Sequence, residues 1–171
     1  MNKKKLKYRV TYLEMNRKPS FDWPKNLKHK LSILLAESFP AWYFLFFYKQ
    51  VGKNYYWTDW LRKSEDEIDE FVNDKNVLLY TLIKDGWPVG FYMLDYRKKD
   101  ICDLSFFGLV DEVIGIGLGK YLLQTAILTA WDSKKIKKLT VNTCSLDHKS
   151  AIYLYQKYGF TPVKYKDLEK T

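Results

Sequence analysis

Asp111-Glu112-Val113-Ile114-Gly115-Ile116-Gly117-Leu118-Gly119-Lys120-Tyr121-Leu122-Leu123 is the stretch around which the rest of the chain is arranged. A β-branched and aromatic run, Ile101 to Val110, precedes it and reads as a strand; Leu118 to Trp131 follows with a helical apolar pattern. Three glycines at alternate positions stand where strand passes to helix. Without Cβ, a backbone there can turn sharply and let a ligand come close. The first-turn amides of the helix have no partners within it, and the positive dipole end points the same way, which makes an anion site suited to a pyrophosphate.

Two familiar phosphate loops do not fit. A Walker loop requires Gly where Ile114 stands and Ser or Thr where Tyr121 stands; a dinucleotide fingerprint requires Gly where Lys120 stands. The loop instead resembles motif A of the GNAT superfamily of acyl-CoA-dependent N-acetyltransferases, Arg/Gln-x-x-Gly-x-Gly/Ala. Gly117 and Gly119 fall on its glycines and Gly115 on an extra one that many members carry, while Ile114 replaces the Arg or Gln. His148-Lys-Ser-Ala151-Ile152-Tyr-Leu154-Tyr155-Gln-Lys-Tyr-Gly159-Phe160 is similar to motif B, Asn-x-x-Ala-x-x-Leu-Tyr-x-x-x-Gly-Phe, with His148 in place of Asn. The two motifs occur in the family's order and spacing.

The chain length of 171 residues suits one domain, 1–171, with a hydrophobic content of 47% and an aromatic content of 18% that call for a packed core. No apolar run reaches the ~20 residues that cross a bilayer, so no membrane partner is expected. Met1-Asn2-Lys3-Lys4-Lys5 has no apolar region behind it to form a signal peptide. Cys102 and Cys144 lack metal spacing, so no metal is expected; reduced thiols point to a cytoplasmic protein. The net charge of +9 is spread along the sequence without a helix-turn-helix, zinc-finger or RNA-recognition pattern, and no nucleic-acid partner is expected. A monomer or homodimer is anticipated.

In order, the sequence predicts a strand over Leu6–Met15, an amphipathic helix over Lys25–Ser38 on Leu27, Leu31, Leu34 and Leu35, and a second helix over Ala41–Gln50 with Pro40 in its first turn. Phe44, Phe46 and Phe47 are assigned to the core. Ser64-Glu65-Asp66-Glu67 reads as a capping box opening a helix that buries Ile68, Phe71 and Val72. Strands are predicted over Val77–Lys84, Val89–Tyr96, Lys138–Ser145 and Phe160–Lys166, with Asp85-Gly86 turning the hairpin. Asp147 is read as the cap of a helix Lys149–Tyr158 that Gly159 ends.

This is an α+β pattern. The resemblance implies a mixed, mostly antiparallel sheet with helices on both faces, splayed at the acetyl-CoA site, and acetyl-CoA as co-substrate of an acyltransferase that moves an acetyl group directly to a primary amine of a small molecule or peptide. Cofactor contacts are then expected from Leu109, Val110, Ile114, Gly115, Ile116, Gly117, Leu118, Gly119 and Lys120, within a core spanning 101–160, with Lys134 or Lys135 adding charge for the phosphates. Tyr155 matches the position that donates a proton to coenzyme A; packing against Ala151, Leu154 and Tyr158 is its plain structural role. Asp103, beside Ser105 in an apolar run, is the first candidate for the general base, Glu112 the second and His148 the third. Direct transfer leaves Cys144 no part as nucleophile. Ten aromatics crowd residues 42–60; Trp42, Tyr43, Tyr55, Tyr56, Trp57 and Trp60, with Asp59 among them, are expected to bind the acceptor in the N-terminal half. The Ile114 and His148 departures leave open a GNAT-fold module that binds coenzyme A or a protein partner without catalysis.

Overall fold

Side-chain alternation decides most of the strands. Val10 and Tyr12 lie in β1 (Leu6–Met15), and the later strands are β2 (Leu31–Ala36), β3 (Val77–Lys84), β4 (Trp87–Asp95), β5 (Ile101–Leu109), β6 (Lys138–Cys144) and β7 (Thr161–Lys170). The helices are α1 (Ala41–Gly52), α2 (Glu65–Val72), α3 (Leu118–Ser133) and α4 (Ala151–Lys157). The computed structural model describes residues 5–25 and 28–170. Its strands form one seven-stranded sheet in the order β2-β3-β4-β5-β6-β1-β7, in which only β5 and β6 run parallel.

Successive residues of a strand point to opposite faces, and this assigns the helices. Phe91 stacks on Phe47 of α1 at 5.0 Å, whereas its neighbour Tyr92 shares a 3.1 Å hydrogen bond with Thr129 of α3. Phe106 meets Phe44 of α1 at 5.1 Å, and Phe107 meets Tyr155 of α4 at 6.1 Å. Thus α1 and α2 cover one face, α3 and α4 the other. The β3–β4 hairpin closes through Asp85 and Gly86, with φ of 51° and 91°, the pair of positive values that a two-residue turn matching strand twist requires. The capping box forms as read: the Glu67 N–H donates to Ser64 Oγ, and the Ser64 N–H to the Glu67 carboxylate.

Several expectations fail. Leu31–Ala36 is a strand and no helix covers the described part of Lys25–Ser38; Leu27 of the expected stripe lies outside the described residues. Leu31, Ile33 and Leu35 alternate, just as Leu31, Leu34 and Leu35 follow a helical period, and the unpaired edge of β3 takes the segment up from Leu31↔Lys84 to Ala36↔Leu79. Phe46 is 40% exposed, unlike Phe44 and Phe47 at 0%. Gly52 ends α1 as its last helical residue, and β7 runs to Lys170.

β1 lies between β6 and β7, whereas β2 is an edge. Leu13 of β1 is 1% exposed and Leu34 of β2 is 55% exposed. Leu13→Ala is expected to lower unfolding free energy by about 2–5 kcal/mol in denaturant titration, and Leu34→Ala by no more than about 0.5 kcal/mol. Equal losses would contradict this placement of the two strands. The N–H of Ser64, then the Lys63 ammonium and the Ser64 hydroxyl, hold the Glu67 carboxyl down at about 2. A depressed acid stabilises the fold above its unfolded value of about 4.5, and that contribution is lost as pH falls toward about 2. The stability gap between the parent and Glu67→Gln should therefore close across that window.

Candidate active site

β5 and β6 pair only from Ile101↔Lys138 to Leu104↔Val141 and then part. Opposite β4, Ser105 is an extra residue between Leu104 and Phe106, a bulge that re-aims the end of β5. A cavity of about 460 Å³ opens where the strands separate. Residues 104–109 of β5 line one wall, Asn142 and Thr143 of β6 the other, and Ala151, Leu154 and Tyr155 of α4 its side.

The glycine loop stands at one end. Asp111–Val113 form a short 3-10 turn, and Gly115 and Gly117 both have φ of 88°, the left-handed region where a Cβ is costly. A side chain at either would meet open space, so the turn and not crowding requires glycine there. Gly117 caps α3, whose first amides are free of helical partners. Ile114, Gly115, Gly117, Gly119, Lys120 and Leu109 line the cavity. Val110 and Leu118 are buried in the core, and Ile116 is exposed at 47% outside the lining. Asp111 accepts a hydrogen bond from Asn54 (2.6 Å) and pairs with the Lys53 ammonium (3.1 Å), tying the loop to the end of α1. Lys134 and Lys135 sit at the opposite end of α3, where Lys134 donates to Asn76 and lies over the Tyr96 ring, so neither can serve this loop.

Of the proton-transfer candidates, Tyr155 and His148 line the cavity; Asp103 and Glu112 do not. Tyr155 is 5% exposed, and burial, then the Asp147 and Asp103 carboxylates, push its phenol up, so it keeps its proton well above neutrality. Asp103 accepts from the hydroxyls of Thr140 (2.6 Å) and Ser105 (2.7 Å) and lines a separate groove with Glu14 and Asp95. Glu112 is exposed on the 3-10 turn. His148 Nδ1 accepts the Ser150 N–H at 3.3 Å and lies 2.7 Å from Ser150 Oγ; with Nδ1 accepting, the neutral ring carries its hydrogen on Nε2 and presents a donor.

Asp147 does not cap α4, which begins at Ala151 with Ser150 before it. The turn after β6 brings Asp147 back onto the strand: its Oδ2 accepts from the Thr143 hydroxyl (2.7 Å) and the Cys144 N–H (2.8 Å). Its Oδ1 accepts from Trp57 Nε1 at 3.0 Å, which bridges the two sides of the opening. The Cys144 thiol is pushed up by burial and then by the Asp147 carboxylate, so it is poorly suited to attack. Of the aromatics expected to bind the acceptor, Tyr55 and Trp57 line the cavity, while the Tyr43 hydroxyl is 2.8 Å from that of Thr81. Trp60 packs in the core at 4.5 Å from Phe71 and 5.2 Å from Phe44. Trp42 and Tyr56 face outward, 66% and 57% exposed. Asp59 pairs with Lys170 at 2.9 Å. Sequence reading missed Val51 and Phe106, which do line the cavity; the signal for Phe106 was its place between the Ser105 bulge and the loop.

Among the described residues no cluster of His, Cys, Asp and Glu could hold a metal, and no helix is long and apolar enough to cross a membrane. No curated protein matches the sequence significantly. The fold is similar to a functionally unknown conserved protein from Staphylococcus epidermidis (TM-score 0.63, 13% identity, 95% of this chain and 61% of that one). It is also similar to a GCN5-related N-acetyltransferase from Kribbella flavida (0.63, 14%, 94% and 56%). A third similar structure is a GNAT family acetyltransferase from Elizabethkingia anophelis with acetyl-CoA bound (0.57, 23%, 78% and 78%). The chain thus spans 61% and 56% of the first two proteins' lengths. At such identities the likeness speaks for the fold. The sequence model of the acetyltransferase (GNAT) family matches residues 36–160, which include the glycine loop, the diverging strands and α4; the chain belongs to the GNAT family of acetyltransferases.

Proposed function

We propose that the protein transfers an acetyl group from acetyl-CoA directly to an amine. The observation that carries this is the cavity between the parting strands, with a dipole-bearing glycine loop at one end and a buried, protonated Tyr155 in its wall. Pyrophosphate is assigned to the amides of 115–120 with Lys120, which lines the cavity there. The pantetheine arm lies along the unpaired edge of β5, whose N–H and C=O groups beyond Leu104 have no partner on β6.

In the reaction the amine nitrogen attacks the thioester carbonyl carbon, and the tetrahedral adduct collapses with cleavage of the C–S bond. The departing thiolate takes the Tyr155 proton. The amine attacks as its free base, an ammonium first giving its extra proton to solvent; the proton lost from nitrogen in the reaction also passes to solvent, and solvent returns one to Tyr155. The products are the N-acetyl amine and coenzyme A thiol.

Free-thiol release from acetyl-CoA across an amine panel tests the activity; acetyl-CoA binding without release on any amine would favour a catalytically silent module. Gly117→Val forces a branched side chain into φ of 88°, and acetyl-CoA affinity measured by calorimetry should fall at least about tenfold in a variant that keeps its circular dichroism. Unchanged affinity would remove the loop from the cofactor site. Tyr155→Phe should lower kcat about 10²-fold with acetyl-CoA affinity held within about twofold, while a kcat close to the parent's would leave Tyr155 to packing alone. With the free amine as nucleophile, the acidic limb of the pH–rate profile should move with the pKa of the acceptor amine and persist in His148→Gln; loss of the limb in that variant would make His148 the base.

A further inference from the structure

Among the described residues, Asp147 is the one acid that lines the cavity. Each carboxylate oxygen accepts two hydrogen bonds. Oδ2 has both, from the Thr143 hydroxyl and the Cys144 N–H, while among the described residues Oδ1 accepts one, from Trp57 Nε1. One acceptor position on Oδ1 is therefore left at the cavity wall. Trp57 is held where it can aim that oxygen. Its Cβ sits where a side chain on Gly52 would fall, 2.2 Å away, and its ring lies 5.4 Å from Tyr48 and 6.0 Å from Phe106. The surfaces nearest on the α1 side, Val51, Tyr55, Trp57 and Phe106, are apolar or aromatic.

We propose that Asp147 receives an N–H of the acceptor on Oδ1, held by Trp57, and that the acceptor is a small amine with an apolar or aromatic carbon skeleton. This rests on the acetyl-transfer reading for its biological meaning but makes a separate binding claim. A carboxylate with two oxygens already ordered by three donors binds an ammonium without rearranging, and an apolar wall beside it favours a skeleton that needs no further hydrogen bonds. An anionic amine is disfavoured by the same charge.

Benzylamine is the probe, with aspartate as the anionic control. Binding is followed by ligand-observed NMR on the protein saturated with coenzyme A, and acetyl-CoA affinity by calorimetry. The parent should bind benzylamine and not aspartate. Asp147→Asn should weaken benzylamine binding about 10- to 100-fold, the size of a charge-assisted hydrogen bond, with acetyl-CoA affinity within about twofold. Trp57→Phe keeps a ring and removes the N–H; it should weaken benzylamine several-fold in the same direction, and it carries the test should Asp147→Asn fail to fold. The proposal is overturned by equal benzylamine affinity in the parent and the variants, by no benzylamine binding to the parent complex, or by acetyl-CoA affinity falling in parallel, which would make Asp147 part of the cavity's shape only. A parent that binds benzylamine through Asp147 yet releases no thiol from acetyl-CoA would end the transfer reading and leave this one standing.

Discussion

The parallel ladder between β5 and β6 stops at Leu104 and Val141, and the site depends on that stop. Each of the two strands stays paired on its other side: β5 with β4 as far as Leu109, and β6 with β1 as far as Cys144. Their inner edges can therefore stand apart without either strand losing its support. Buried backbone N–H and C=O groups without partners are costly, so an opening of this kind is stable only where water or a ligand can satisfy it. The bulge at Ser105 turns the end of β5 away, and the Trp57–Asp147 hydrogen bond spans the opening on its far side. Separation of the strands is thus maintained from both ends.

Electrostatics divide the cavity. At the glycine loop the helix dipole, the free amides and Lys120 all favour negative charge. At Asp147 the sign reverses. Tyr155 lies in the α4 wall, its phenol kept protonated by burial and by the nearby carboxylates. One end suits an anion and the other a cation, and Tyr155 in the wall has no formal charge.

The family match begins at residue 36, beyond β1, yet β1 is paired along both β6 and β7. The N-terminal strand is accordingly a support of the cavity's β6 wall. Its partner β7 is an edge, and charged side chains are frequent along it, among them Lys164, Lys166, Asp167 and Glu169. Charges on an edge discourage further strand pairing.

Where local chemistry settles a conformation, the sequence was enough. The capping box at Ser64, the Asp85-Gly86 turn, the glycine loop before α3 and the strands over Leu6–Met15 and Val77–Lys84 were all legible, because each needs a particular residue type or period at a particular place. The glycine-loop end of the cavity was legible for the same reason: glycines at positive φ and the two motifs lie within short stretches of chain. The wall built from the N-terminal half was not. Leu31–Ala36 fitted helix and strand alike until the bare edge of β3 chose. Trp42, Tyr56, Trp57 and Trp60 looked equivalent, but only their packing sends Trp60 into the core, Trp42 and Tyr56 outward and Trp57 to the cavity. Asp147 looked like a helix cap, the commonest use of an aspartate before a helix. What turned it toward Trp57 is a contact across 90 residues of chain, and separations of that length are set by tertiary packing.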